Sequence, residues 1–430
     1  MLHDGQSVRV AVVGGLRIPF CRAHSIYRGC SNQDMMTAAL EALVDKYDLK
    51  DQTLGDVALG AVIKHSKDWN LARESVIGSG LSIKTPAFDL QRACGTSIEA
   101  CIQIANKIAL GQIESGIAGG TDSISDAPIV FKDGLRRILH DVHGGRSTMQ
   151  KIMPWFRLRP PHLLPEFPGV TEPRTGLSMG QSMEITAQEW EVPREHQDQL
   201  ALTSHVKAAK AFDEGFYDDL VVPYQDAEED NNIRRDTSYE KLAALKPVFA
   251  KGEGATMTAG NSTPLTDGAA AVMLAAEPWA KLKNLPIIAY ITFVNVAAVN
   301  FIDADGLLMA PVFAVSDMLK QANLKLQDFD YYEIHEAFAA QTIATLKAWQ
   351  SEQFCRDRLG RNEPMGPIEL AKLNVKGGSL AIGHPFAATG ARVVATMAKL
   401  LNEKGSGRGL LSVCTAGGMG VTAIMEAARD

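Results

Sequence analysis

Four short stretches carry side chains able to do nucleophilic and acid–base chemistry. In "QRACGTS", Cys94 stands between an apolar run and the small residues that open a helix. The segment "GGSLAIGHPFAATG" holds His384 in a Gly-rich turn, and "LLSVCTAGGMG" ends an apolar run at Cys414. In "YYEIHEAFAAQ", His335 and Glu336 fall between a strand pattern and a helix pattern. A thiol at a helix start feels unpaired backbone N–H groups and the positive end of the helix dipole, which favour the nucleophilic thiolate. Such a thiol needs a base, and histidine is suited to that task. The turn Ala416–Gly420 offers further N–H groups to an oxyanion. Each stretch also has a plainer reading. Free cysteines are commonly buried packing residues, a His-Pro turn need have no task, and a capped core helix explains "HEAF". The residues alone leave both readings open.

The elements needed to hold these groups are legible. "VRVAVVGGLRIPF" reads as a strand, then a helix at "NQDMMTAALEALVDKYDL", a strand at "GDVALGAVI", a helix at "NLARESVIGSG" and a strand at "TPAFDL". A helix at "GTSIEACIQIANKIALGQ" and a strand at "SGIAGGTDSIS" follow, and this alternation predicts a layered α/β fold. Residues 39–60 align with 314–335 at a constant offset, each reading helix, Leu-Lys turn, polar spacer, strand. The last strand of each half is read as ending in a Gly-rich turn, "GIAGGTDS" and "CTAGGMG". Two matches in the same order predict a duplication. Gly377, Gly378, Gly383 and Gly390 are costly unless tight turns or close approach require them.

Between the halves, 126–250 differs in character and reads as an insertion forming a lid or loop domain. It contains a helix pattern at "PREHQDQLALTSHVKAAKAFDEG" and ends in the acidic run "DAEEDNNIRRD". Within it, 131–170 interleaves seven Lys and Arg residues with Trp155, Phe156 and several leucines. That pattern suits either a solvated surface or docking to a membrane or an acidic partner.

The 430 residues are long enough for two or three domains or one large duplicated one. A net charge of −7 argues against nucleic acid as the main ligand. The six scattered cysteines fit neither a disulfide framework nor metal-ligand spacing. The N-terminal stretch lacks the pattern of a signal peptide. The uncharged run 285–302 is long enough to consider as a membrane span. Its Pro286, Asn295, Asn300 and β-branched residues read better as a long buried strand plus a connection.

Taken together and in order, "QRACGTS", "TAGNSTPLTDGAAAVML", "HEAFAAQ", "GGSLAIGHPFAATGAR" and "CTAGGMG" resemble the thiolases over nearly the whole chain. The resemblance implies two similar α/β halves layered α-β-α-β-α with an inserted loop domain. The halves would be 1–125 plus 251–284, and 285–430, with 126–250 inserted. It implies Cys94 as the acylated nucleophile, His384 as its base and an oxyanion donor, and Cys414 as the acid/base at the α-carbon. His335 would hold an oxyanion-site water, and the backbone N–H groups of Cys94 and Ala416 would form a second oxyanion site. Ser178, Met179, Arg234 and Thr263 would contact coenzyme A, a co-substrate; no permanently bound cofactor or metal is implied.

Most thiolases have Asn where this chain has His335, and Gly where it has Ala416. The first change makes protonation at that position pH-dependent. The second is tolerable where the turn does not require a positive φ. The "HEAF" and "GHPFAATG" variants most resemble the β-subunit of the fatty-acid β-oxidation multienzyme complex. This implies thiolytic cleavage of 3-ketoacyl-CoA, a homodimer or tetramer, a hydratase/dehydrogenase α-subunit as partner, and membrane contact through 131–170. The alternatives are a biosynthetic acetoacetyl-CoA thiolase, a ketoacyl synthase and a non-catalytic CoA-binding subunit. Cys414 argues against the synthase, which has no use for a second thiol.

Overall fold

The computed structural model describes residues 7–252 and 254–428. Residues 1–6, part of the N-terminal stretch read above as carrying no leader, lie outside the described residues. The first half runs β1 (Val10–Arg17), α1 (Asn32–Lys46), β2 (Asp56–Leu59), α2 (Leu71–Gly78), β3 (Ala87–Asp89), α3 (Thr96–Ala109) and β4 (Ser115–Asp122). The intervening stretch contributes α4 (Asp133–Gly144), α5 (Met179–Glu189) and α6 (Arg194–Asp213), and β5 (Thr266–Ala276) then returns to the sheet. The second half runs β6 (Ala289–Ala298), α7 (Ala310–Ala322), β7 (Tyr331–Ile334), α8 (Ala339–Gln350), α9 (Thr389–Lys404), β8 (Arg408–Thr415) and β9 (Met419–Ala427).

Strand order is β7-β8-β9-β6-β1-β5-β4-β2-β3. On one side β1, β5 and β4 pair antiparallel, and β4, β2 and β3 pair parallel. On the other, β6, β9 and β8 pair antiparallel, and β8 and β7 pair parallel. A parallel bridge from Tyr332 to Leu373 stands where β3 stands in the first half. The two half-sheets meet where Val10–Val12 pair with Ala289–Ile291. β2 and β7 occupy the same places in the two aligned segments, so the duplication read from the residues is one of topology as well.

Alternation along the strands builds the layers. In β5, Ala270, Val272, Leu274 and Ala276 enter the core under α3 and α9. Ala269, Ala271, Met273 and Ala275 enter the core under α1 instead. A third core joins α7 and α8 to the far face of the second half-sheet. The result is α-β-α-β-α, with α3 and α9 as the shared central layer. Their crossing is close: a Cβ at Gly390 would lie 2.2 Å from the Ile98 amide nitrogen.

Three expectations change. β4 and β8 are not the last strands of their halves, because β5 and β9 follow and extend the sheet. Gly119 and Gly120 lie inside β4, where a Cβ would meet the carbonyl oxygens of Ala270 and Ala387, so close packing explains them rather than a turn. The run 285–302 does form a strand, but Thr292 and Phe293 are exposed and only the first residues are fully buried. β9 covers one edge of β6 throughout, whereas β1 covers the other only at Ala289–Ile291.

Segment 194–221 of the intervening stretch packs into the central core through Ala208, Ala211, Phe216, Tyr217, Leu220 and Val221. Its acidic run is anchored too. Arg17 donates to both oxygens of Asp230 at 2.5 and 2.7 Å, and the Phe20 N–H adds a bond of 2.7 Å to the same carboxylate. Both side chains are buried, where leaving one charge unpaired costs on the order of 3–5 kcal/mol.

Candidate active site

Cys94 sits in a tight turn between β3 and α3. Ala93 is held at φ +43°, a left-handed conformation that costs a residue with a Cβ about 1–2 kcal/mol. Thr96 locks the turn: its Oγ1 donates to Ala93 O at 2.7 Å and accepts from the Arg92 N–H at 2.9 Å. The strain thus sits directly before the thiol.

The second half supplies the other groups. Cys414 is the penultimate residue of β8 and is buried. His384 follows Gly383, whose φ of +103° and crowded surroundings exclude a side chain; a Cβ there would lie 2.5 Å from Asn232 Nδ2. The His384 N–H donates to Thr266 Oγ1 at 3.1 Å, tying the loop to β5. His335 directly follows β7, and its N–H donates to Ser412 O at 2.8 Å. Thus both cysteines and both histidines hang from the central layer and its two half-sheets.

Cys94, His384, Cys414 and Ala416 line one cavity of about 330 Å³. Val62, Val170, Met179, Phe249, Leu308, Phe338 and Phe386 give it apolar walls. The His335 and His384 rings lie 4.1 Å apart between centroids. Each histidine has one nitrogen engaged: His384 Nδ1 lies 2.6 Å from Thr389 Oγ1, and His335 Nδ1 lies 2.7 Å from Ser379 Oγ. Among the described residues, both Nε2 atoms are buried without a hydrogen-bond partner.

Burial decides the charge states. It pushes the Cys94 thiol up to about 12, against the pull of the backbone N–H groups of Ala416 and Cys94, with the charges of Asp122 and Glu172 adding to the rise. The helix-end stabilisation of a thiolate is therefore outweighed, and the resting group is a thiol. Cys414 is also pushed well up, by burial and then by the charge of Cys94. Burial, aided by the Arg392 charge, pushes His384 down to about 3. His335 is driven well below the usual histidine range by burial, then by His384 and Arg392. Burial therefore biases the His335 ring toward its neutral form. An apolar-walled cavity disfavours separated charges, which suits a neutral thiol–imidazole pair at rest.

The turn after Cys414 carries its positive φ at Gly417 and Gly418 (77° and 69°), and Ala416 is not left-handed. Ala416 therefore keeps its N–H aimed at the Cys94 sulfur without strain. Glu336 points away from the cavity, accepting from Asn374 Nδ2 at 2.6 Å and Ser204 Oγ at 2.8 Å. Ser178, Met179 and Thr263 line the cavity, whereas Arg234 borders an adjoining depression with Arg22, His205 and Asn231. Ser178 also caps α5 by accepting from the Gln181 N–H.

Several participants went unread in the sequence. Glu172 accepts from the Gly417 N–H at 2.6 Å and so braces the glycine turn from the intervening stretch. Asp122 accepts from the N–H groups of Val62, Ile63 and Ala387, tying β4 to the loop after His384. Neither stands in a pattern that marks it. Thr389 and Ser379, the histidine partners, carried a faint signal as the polar residues of an otherwise small and apolar segment.

A duplicated five-layer α/β fold that brings a strained-turn cysteine and a second thiol to one apolar cavity defines an acyltransferase working through sulfur. The chain belongs to the thiolase family. The family model described as "Thiolase, N-terminal domain" matches residues 10–278, and "Thiolase, C-terminal domain" matches 285–427. A 3-ketoacyl-CoA thiolase of Yersinia pestis (strain Pestoides F) is 40% identical over 98% of this chain and 97% of its own. The solved Bacillus anthracis acetyl-CoA acetyltransferase superposes with a TM-score of 0.83 at 28% identity, covering 99% of this chain and 100% of its own. The Acat5 thiolase of Ascaris suum, solved in complex with coenzyme A, gives 0.81 at 26% identity, covering 98% and 100%.

Proposed function

We propose that the chain cleaves 3-ketoacyl-CoA with coenzyme A, yielding acetyl-CoA and an acyl-CoA shortened by one acetyl unit, as in the last step of fatty-acid β-oxidation. The observation that carries this reading is the convergence of Cys94, Cys414 and His384 on one apolar-walled cavity, with the His335 ring 4.1 Å from that of His384. Cys94 attacks the keto carbon while His384 Nε2 takes its proton. The carbon–carbon bond breaks, Cys414 protonates the acetyl-CoA enolate, and the acyl chain stays on Cys94 as a thioester. The thiol of coenzyme A then attacks that thioester and releases the shortened product. The Ala416 and Cys94 N–H groups bind one oxyanion and the His335–His384 pair the other. Ser178, Met179 and Thr263 guide the pantetheine arm, and Arg234 meets the nucleotide end.

The alternative is the C4-specific biosynthetic reaction, which the name of the Bacillus anthracis neighbour keeps in view. The apolar walls favour longer chains. In a thiolysis series from C4 to C16, run with and without a co-expressed hydratase/dehydrogenase subunit, medium and long substrates are expected to match or exceed C4. Activity confined to C4 would overturn the degradative reading.

Within 131–170, Phe131, Trp155 and Phe156 are exposed, Phe156 by 74%, as are Arg136 and Arg137, paired with Asp133, and Arg157, paired with Asp141. No described helix is long and apolar enough to cross a membrane. The patch therefore suits surface docking on an anionic bilayer, apolar tips inserted and cations at the headgroups. Co-sedimentation with phosphatidylglycerol-containing vesicles should fall at least about fivefold in a Trp155→Ser/Phe156→Ser variant, with thiolysis unchanged. Equal sedimentation of both proteins would refute the docking role.

A further inference from the structure

His335 presents two nitrogens with different surroundings. Nδ1 faces Ser379 Oγ at 2.7 Å, and Nε2 is buried beside the His384 ring. Ser379 Oγ also receives a hydrogen bond from Arg392 Nη2 at 2.9 Å. Arg392 is buried and its Nη1 pairs with Glu333 Oε2 at 3.2 Å, which fixes the guanidinium in place. A guanidinium has donors only, so Ser379 must be the acceptor at that contact. Among the described residues, the hydroxyl hydrogen then has one acceptor within reach, His335 Nδ1. The reverse arrangement, with Nδ1–H donating to Oγ, would leave a buried hydroxyl hydrogen without an acceptor.

We propose that Ser379, oriented by Arg392, is a positioning residue that fixes His335 in the tautomer carrying its proton on Nε2. His335 then offers an N–H toward His384 while remaining uncharged. The two adjacent rings become complementary: His335 Nε2 donates, and His384 Nε2 keeps the lone pair that receives the Cys94 proton. An imidazole held this way supplies what the N–H of an asparagine side chain would supply, and the serine is what makes the histidine equivalent. The inference rests on the reading of His335 as an oxyanion partner.

Nitrogen-15 NMR of the histidine-labelled, unmodified enzyme tests it directly, with His335 assigned by its disappearance in His335→Asn. The expected signature is a neutral ring protonated on Nε2; a ring protonated on Nδ1 overturns the proposal. In Ser379→Ala, the signal should shift toward a mixture of tautomers, and kcat should fall about tenfold to a hundredfold with KM changed by less than about twofold. In a His335→Asn background, the same serine substitution should leave kcat unchanged, because an amide has no tautomer to set. An equal loss in both backgrounds, or lost activity with the Nε2–H signature intact, would make Ser379 merely a packing residue. The functional reading fails separately: it is His335→Ala at wild-type kcat that would remove His335 from the oxyanion site.

Discussion

Cys94→Ala is expected to abolish thiolysis, with kcat down on the order of 10⁴-fold or more and the fold intact. The size follows from the chemistry: without sulfur there is no acyl-enzyme, and the cavity has no substitute at that spot. Cys414 is on the same wall, but it sits within β8 rather than on the strained turn at Ala93. Cys94→Ser is expected to fare little better. A serine hydroxyl is a weaker acid than a thiol and a poorer nucleophile, so a weakly basic imidazole such as His384 activates it far less readily. The check is paired: loss of 3-ketoacyl-CoA absorbance, and intact-mass spectra after mixing with acyl-CoA. An acylated protein in the alanine variant would assign the nucleophile elsewhere.

Cys414→Ala should separate the two halves of the reaction. Acyl transfer from a simple acyl-CoA to Cys94 needs His384 and the Ala416 N–H but no carbon acid, and it should survive within about tenfold. Exchange of the acetyl-CoA α-protons with deuterated solvent should fall about 10²- to 10⁴-fold, the usual worth of a positioned acid/base. Both thiols line the same cavity, and the charge of Cys94 adds to the rise of the Cys414 thiol. Equal loss of acyl transfer and exchange would contradict the division of labour.

The order of elements was legible because burial imposes periodicity. Segments 39–60 and 314–335 repeat since both are a helix leading into a parallel strand against the same kind of sheet. Cys94, His384 and Cys414 were legible as residue types in marked turns, and the family resemblance, not the local chemistry, chose among their readings. What escaped were effects of distance. The half-exposed face of β6 depends on how far β1 reaches along it. Glu172 and Asp122 matter through single bonds to remote backbone, which no local spacing encodes. The charge states depend on distance too. The sequence offers a helix end to Cys94 and a titratable ring at His335, but the burial that opposes ionisation of both comes only from the assembled fold.

The position of β5 has a kinetic consequence. It lies in the middle of the first half-sheet, between β1 and β4, yet is separated from β4 by the whole intervening stretch. A ribosome that has finished β4 has released a sheet with an empty slot, and only Thr266–Ala276 can fill it. Contacts between such distant segments make folding slow. His384, moreover, is held to β5 through Thr266 and arrives later still. The nascent chain therefore carries Cys94 as an ordinary thiol without its base. Reactivity appears only when nearly the entire polypeptide has been made and closed.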